Sequence, residues 1–357
     1  MASRIDPFLE LLVKNCGSDL HLLTGHPPRI RVRGAVEKVP FRALEASEVE
    51  GMLAEILSER HRQMLARRHT VDFAYESETA GRFRVSAYQQ AGGPAATFRP
   101  IVRKIPTMEE LGLPAVVSSL IRQPSGLTIV TGPAGAGKST TLAAMIDSLN
   151  ASRRGHILTI EDPIEFSHTF HQCLVTQREV GLHAPTFAEA LRSALHEDPD
   201  VILVGEMRDH ETISLALTAS EMGIQVLASL HTNGAVRSID RIINAFPTER
   251  HDLVRSMMAE NLRLVIAQQL VPTSRGEGRV AALEILVNTA AASSLIRSGK
   301  THQLSQVLQS GRKLGMVAMD AHLAELAQRR VISADTARDF SLDRGRPASS
   351  NERREVA

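Results

Sequence analysis

Nine consecutive residues, Gly132-Pro133-Ala134-Gly135-Ala136-Gly137-Lys138-Ser139-Thr140, have the types and spacing that grip phosphate. The glycines let backbone N–H groups turn inward around phosphate oxygens. A helix starting at Lys138 adds the positive end of its dipole. The Lys138 ammonium can reach the outer phosphates of a nucleoside triphosphate such as ATP, and the Ser139 hydroxyl can ligate Mg²⁺. The apolar run 127–130 and the helically spaced 141–146 flank the loop, which gives the strand–loop–helix context this chemistry needs. The competing interpretation is a plain glycine-rich turn, and composition weighs against it. The 357 residues include only 23 glycines, and of the 41 basic residues 6 are lysine and 35 arginine. A lysine at this point fits, because a compact ammonium enters a phosphate cradle and a planar guanidinium does not.

Three further groups join this loop. Asp200-Val201-Ile202-Leu203-Val204-Gly205-Glu206 is an apolar strand ending in an acid. Beside a phosphate loop, Glu206 would meet Mg²⁺ or the attacking water. The usual acid pair is here Gly205-Glu206, so one carboxylate is missing. Glu161, Asp162 and Glu165 bracket Pro163 after another apolar strand. A solvated turn would look the same, but ligands bind at such strand ends in α/β sheets. One of these acids could replace the missing carboxylate. His231, in Ser229-Leu230-His231-Thr232, closes a further strand, where it could contact the terminal phosphate. Arg82, Arg84 and Arg99 lie on early strands, and Arg82 and Arg84 share a face by period two. A solvated stripe and a charge donor to nucleotide are both open readings of these arginines.

The elements that must position these groups fall into two patterns. Residues 1–102 read as a small α+β domain. Its strands are expected at 19–23, 29–33, 71–76, 81–90 and 94–101, with an amphipathic helix around 8–13. A helix over 47–65 is expected to open with a capping box of Ser47 and Glu50. Residues 103–115 carry two prolines and read as a linker and hinge. The stretch 116–288 alternates strands and helices, as a parallel-sheet core does. Its strands are expected at 127–131, 156–160, 201–204, 225–230 and 280–287, with helices at 138–149, 187–196, 211–222, 238–246 and 252–270. Residues 289–343 read as helical, over 290–298, 303–309, 316–329 and 334–340. The charged stretch 344–357 reads as a disordered tail.

Composition removes several functions. Net charge is +1, aromatics are 3% and tryptophan is absent, so neither a polyanion-binding surface nor a base-stacking platform is supported, and no nucleic-acid partner is expected. Cys16 and Cys173 have no metal spacing and suggest a reducing, cytoplasmic setting. No apolar run approaches the roughly 18 residues a membrane span needs, so a membrane role is expected to go through a partner.

The four blocks, in this order and spacing, resemble the secretion-superfamily ATPases, and within them the PilT branch of type IV pilus retraction motors. Gly132 to Thr140 is similar to the Walker A loop, 159–168 to the Asp box, 200–209 to the atypical Walker B and Leu230-His231-Thr232 to the His box. Ser18-Asp19-Leu20-His21-Leu22 and Gly81-Arg82-Phe83-Arg84-Val85 also resemble the family. The resemblance implies an α/β chain in which a PAS-like N-terminal domain precedes a RecA-like P-loop ATPase core with a C-terminal helical part. It implies a homo-hexamer that hydrolyses ATP with Mg²⁺, is cytoplasmic, and is peripheral at the inner membrane through a pilus platform protein. A second retraction ATPase is a further partner it allows. Glu165 matches the catalytic glutamate, Glu206 the acid near Mg²⁺ and His231 the residue near the γ-phosphate. Arg82, Arg84 and Arg99 fall where arginine fingers lie. Pilus-assembly and type II secretion ATPases carry a four-cysteine zinc element where this chain has the short, cysteine-free 271–279. The chain departs from the retraction signature Ala-Ile-Arg-Asn-Leu-Ile, with Ala291-Ala292-Ser293-Ser294-Leu295-Ile296 in its place. That departure brings an accessory retraction paralogue into view. A pilus-assembly or type II/IV secretion ATPase of the same superfamily is the nearest alternative, and a nucleic-acid translocase and a non-catalytic scaffold are remoter ones.

Overall fold

The computed structural model describes residues 3–342, apart from 33, 102–104, 275 and 277. The expected tail at 344–357 and part of the expected linker lie outside the described residues. The chain divides into two compact units. The first holds the described residues up to Ile105 together with Asp162–Ser167, and the second holds Pro106–Glu161 and the described residues from His168 onward.

The first unit begins with helix α1 (Asp6–Lys14) and strands β1 (Asp19–Leu23), β2 (Arg29–Val32) and β3 (Ala35–Lys38). Helices α2 (Ala46–Ile56) and α3 (Glu59–Arg68) follow, then β4 (Thr70–Ser77), β5 (Gly81–Gln90) and β6 (Gly93–Pro100). The strands form one antiparallel sheet in the order β3-β2-β1-β6-β5-β4. On β5 the period of two sends Phe83, Val85 and Ala87 into the core and leaves Arg82 and Arg84 half-exposed. The expected helix 47–65 is two helices. Leu57 takes an extended conformation and Ser58 starts α3, its hydroxyl accepting the His61 N–H at 3.2 Å. The capping contact also differs from expectation: the Glu48 carboxylate accepts the Glu45 N–H at 2.9 Å, so α2 begins earlier than Ser47.

The second unit runs α4 (Ala115–Ile121), β7 (Gly126–Thr131), α5 (Lys138–Ser152), β8 (His156–Glu161), β9 (Leu174–Glu179), α6 (Phe187–Ala194) and β10 (Val201–Val204). It continues with α7 (His210–Glu221), β11 (Gln225–Leu230), α8 (Ala235–Ile243), α9 (His251–Asn261), β12 (Leu262–Pro272) and β13 (Arg279–Val287). Helices α10 (Ala290–Arg297), α11 (Leu304–Ser310), α12 (Met319–Gln328) and α13 (Ala334–Asp339) close it. The sheet order is β13-β12-β7-β11-β10-β8-β9, parallel except for β13. Every residue of β7, β10 and β11 is buried, as expected of a parallel sheet covered on both faces.

One expectation is overturned here. Residues 252–270 are not one helix: α9 ends at Asn261 and the apolar run that follows is the long strand β12, paired with β7 and β13. Its stretch 264–267 is continuously apolar and buried, and such a run has no period to separate strand from helix. Strands β3 and β9 went unanticipated because β3 is exposed throughout and β9 is mostly polar. Helix α12 starts later than expected because Val317 pairs with Ile285 in both directions, at 2.7 and 3.0 Å.

His168, ahead of β9, gives a pH prediction. Burial pushes its imidazole from an ordinary 6.5 to about 4, and nearby Asp147 offsets only part of this. The folded protein therefore resists a proton that the unfolded chain accepts. Stability from this site is full above about pH 6.5 and lost as pH falls toward about 4, at up to about 1.4 kcal/mol per pH unit. Thermal melts from pH 7 to pH 4.5 should show a shallower acid decline for His168→Gln than for the parent. Parallel declines would remove this assignment.

Candidate active site

Three of the expected residues converge in the second unit. Lys138 opens α5 directly after the loop, is 8% exposed, and donates to the Gly132 and Pro133 carbonyls at 2.9 and 3.0 Å. Its Nζ also lies 3.2 Å from His231 Nδ1. His231 follows β11, the strand beside β7, and its Nε2 lies 3.2 Å from Glu206 Oε1. An ammonium only donates, so the facing Nδ1 is unprotonated and the ring proton sits on Nε2, aimed at the carboxylate. Glu206 Oε2 pairs in turn with Arg208 at 2.8 Å. Ser139 and Thr140 are half-buried in the first turn of α5, and Pro133, Ala134 and Gly135 are exposed. The chain thus places an ammonium, an imidazole and a carboxylate in one line at the ends of three parallel strands, where this fold presents its ligands.

Gly205 has a steric reason to lack a carboxylate. A Cβ there would sit 3.0 Å from the Ile160 carbonyl and 3.2 Å from Glu161 Cα. Glu161 therefore occupies the neighbouring position, with its Oε1 accepting from the Thr159 hydroxyl at 2.7 Å and the Gln177 amide at 3.3 Å.

Glu165 and the arginines belong to the first unit. Arg84 Nη1 lies 3.5 Å from Glu165 Oε1, and Arg82 Nη1 donates to Ser167 Oγ at 3.0 Å. Arg84 and Arg99 are register partners on β5 and β6, and two like charges at such positions repel. Each has an acid to offset it. Arg99 differs in how firmly it is held: Nε and Nη2 donate to Asp19 Oδ1 at 2.9 and 2.7 Å, and the Asp19 side chain is only 6% exposed.

Sequence reading missed two braces. Gln268 on β12 is 2% exposed; its amide donates to the Ala136 carbonyl at 2.6 Å and its oxygen accepts from Thr141 at 3.0 Å, so it pins both ends of the loop–helix junction. Thr131 at the end of β7 donates to the Thr232 carbonyl at 2.7 Å and accepts the Thr232 N–H at 3.0 Å, tying the start of the loop to the residue after His231. No short-range pattern marks either residue.

The family described as Type II/IV secretion system protein matches residues 3–339. The chain belongs to this family. Type II/IV secretion system relatives similar to it include the type IV pilus retractation ATPase PilT of Pseudomonas aeruginosa, 48% identical over 335 residues, covering 94% of this chain and 97% of the relative. The twitching motility protein of Neisseria gonorrhoeae is 46% identical, covering 87% of this chain and 83% of the relative. A crystal structure of the pilus retraction motor PilT with bound ADP superposes with a TM-score of 0.87 at 40% identity, covering 94% of this chain and 97% of that one. The α/β architecture with a RecA-like core, expected from the motifs, is the architecture found in this member of the family.

At the retraction signature, the departure leaves helix α10 intact. Thr289 caps it, Ala292 and Ile296 are fully buried, and the Ser293 hydroxyl donates to the Ala259 carbonyl at 2.8 Å. Among the described residues no helix is long and apolar enough to cross a membrane.

Proposed function

We propose that this chain is an ATP-hydrolysing motor that drives type IV pilus retraction. The observation that carries the proposal is the line Lys138–His231–Glu206 beside the phosphate loop, in a chain 48% identical to a pilus retraction ATPase over nearly its whole length. Lys138 neutralises the outer phosphates of bound ATP, and the backbone of Gly132 to Thr140 wraps them. Ser139 and Glu206 are hard oxygen donors of the kind Mg²⁺ takes. When bound, the ion neutralises charge developing on the transferred phosphoryl group. His231 holds its proton at Nε2 toward Glu206 and turns Nδ1 toward Lys138, so its ring links the phosphate-binding cation to the acid. Glu165 orients the attacking water. The working form is a homo-hexamer that acts on an inner-membrane platform protein, with Arg82 or Arg84 adding charge to the transition state.

Two measurements test this reading. Glu206→Gln should cut phosphate release from ATP by roughly a hundredfold, the scale seen when one preorganised charge is lost. Deleting the gene should leave cells with excess pili that no longer twitch. Unchanged pili with intact motility would send the assignment to another secretion machine. Pili that still retract, but weakly, would favour the accessory paralogue suggested by residues 291–296.

The arginines separate by the same logic. Arg99→Ala leaves the buried Asp19 with the Ser18 hydroxyl at 2.9 Å and Arg31 at 3.8 Å but takes both hydrogen bonds from its Oδ1, a loss of about 1–3 kcal/mol. Its melting temperature should fall while turnover per folded protein stays within about twofold. Arg84→Ala removes only a half-exposed pair, so stability should hold while turnover falls. The reverse outcome would make Arg99 the finger.

A further inference from the structure

Glu284 is a buried carboxylate on β13 that no expected step uses, 8% exposed and facing inward from the sheet edge. Its Oε1 accepts the Ala235 N–H at 2.6 Å, and the Met319 N–H lies near enough to the same carboxylate to favour its charged form. Ala235 is the first residue of α8, and Met319 is the first residue of α12. Neither helix has a cap of its own. Gly234 has no side chain to offer and Ala318 has no oxygen, so the donors that every helix start leaves open are met from outside. One carboxylate therefore caps α8 and stands beside the start of α12, 84 residues further along the chain, counting from Ala235 to Met319. A helix start is a favourable place for a negative charge, but burial outweighs this and pushes the Glu284 carboxyl up from its ordinary range.

The position matters because of what α8 carries. Only Thr232, Asn233 and Gly234 separate His231 from Ala235. Thr232 is fixed at one side by Thr131, and its hydroxyl lies 2.6 Å from Ser238 Oγ inside α8. The other end of this short segment is fixed at Ala235, where Glu284 holds the backbone. On the far side, Leu283 next to Glu284 donates its N–H to His322 Nδ1 of α12 at 2.9 Å, so β13 is tied to α12 beside this carboxylate.

We propose that Glu284 is a positioning residue for His231: it anchors the chain just after the imidazole and joins that anchor to the C-terminal helix α12. The proposal rests on the reading of His231 as part of the hydrolytic site. Glu284 touches neither nucleotide nor the reacting atoms. It acts by fixing the backbone from which His231 reaches Lys138 and Glu206.

The test is a double-mutant cycle in the full-length protein, with kcat and KM for ATP as readouts and a melting curve for each variant. His231→Ala should lower kcat by tenfold or more. Glu284→Ala should lower kcat by about tenfold, in the range measured for residues that orient a functional side chain. KM should change by less than about twofold, because the Gln268 brace under the phosphate loop is untouched. Glu284→Gln keeps one acceptor oxygen and should recover part of the loss, and it stands in should the alanine variant fail to fold. In the His231→Ala background, either Glu284 substitution should lower kcat by less than about twofold more. A merely structural role would lower the melting temperature and reduce kcat by the same factor in both backgrounds, and that result would overturn the proposal while leaving the His231 reading intact. Unchanged kcat in both Glu284 variants would overturn it as well. If His231→Ala alone leaves kcat unchanged, the His231 reading falls and takes this inference with it.

Discussion

Lys138→Ala should abolish ATP turnover, with phosphate release falling at least about a hundredfold, and should strip the protein of labelled nucleotide in a filter-retention assay. The reason is the combination of burial and charge. Lys138 is 8% exposed, and its ammonium is held by the Gly132 and Pro133 carbonyls within reach of His231. A cation fixed in a partly dry site acts on phosphate far more strongly than one in water. It is also already in place, so little reorganisation is needed as charge develops. Lys138→Arg should not restore activity, because a planar fork does not enter the cradle that a point charge fills. The loss should be specific to nucleotide: α5 keeps the rest of its buried face, so circular dichroism should match the parent. Turnover within tenfold of the parent would mean that phosphate is held elsewhere.

Gly132→Ala should weaken nucleotide binding by at least tenfold and lower the melting temperature, although it deletes no atom. Gly132 has φ +145°, where a side chain is strained, and an added Cβ would lie 2.2 Å from the Gln268 carbonyl oxygen. The strain alone is about 1–3 kcal/mol. The clash cannot be relieved by a rotamer, since the obstacle is backbone in β12, paired on both sides. The loop must move instead, and with it the amides that face phosphate. Titration with a fluorescent ADP analogue measures the affinity, and an alanine variant that binds within twofold of the parent would show that the loop tolerates the shift.

The contrast between the two kinds of residue here explains what could be read beforehand. The phosphate loop, Glu206 and His231 announce themselves because strand, turn and functional residue are adjacent in the chain. The strands that carry them, β7, β10 and β11, are near-continuous apolar runs bounded by turns, and all three appear close to where they were expected. The α8 helix, β5 and the C-terminal helices follow from periodicity in the same way. β12 was not legible, since its apolar run gives no period and its pairing with β7 joins residues more than 130 positions apart. Gln268 and Glu284 were hidden for the same reason. Each acts on backbone brought near by the fold, Gln268 on Ala136 and Glu284 on Ala235, and no local spacing encodes that distance. The pairing of Arg99 with Asp19 depends likewise on β1 and β6 lying side by side.

Gln268 and Leu283 stand directly opposite each other in the β12–β13 ladder. Paired strands lie about 5 Å apart and do not slide, because a slip of one residue would turn every buried side chain to the wrong face. The hairpin thus behaves as a stiff plate, with the phosphate loop fastened to one strand and α12 to the other. The phosphate loop and α12 therefore share one rigid mount, and neither can be displaced alone without breaking its hydrogen bonds to the hairpin.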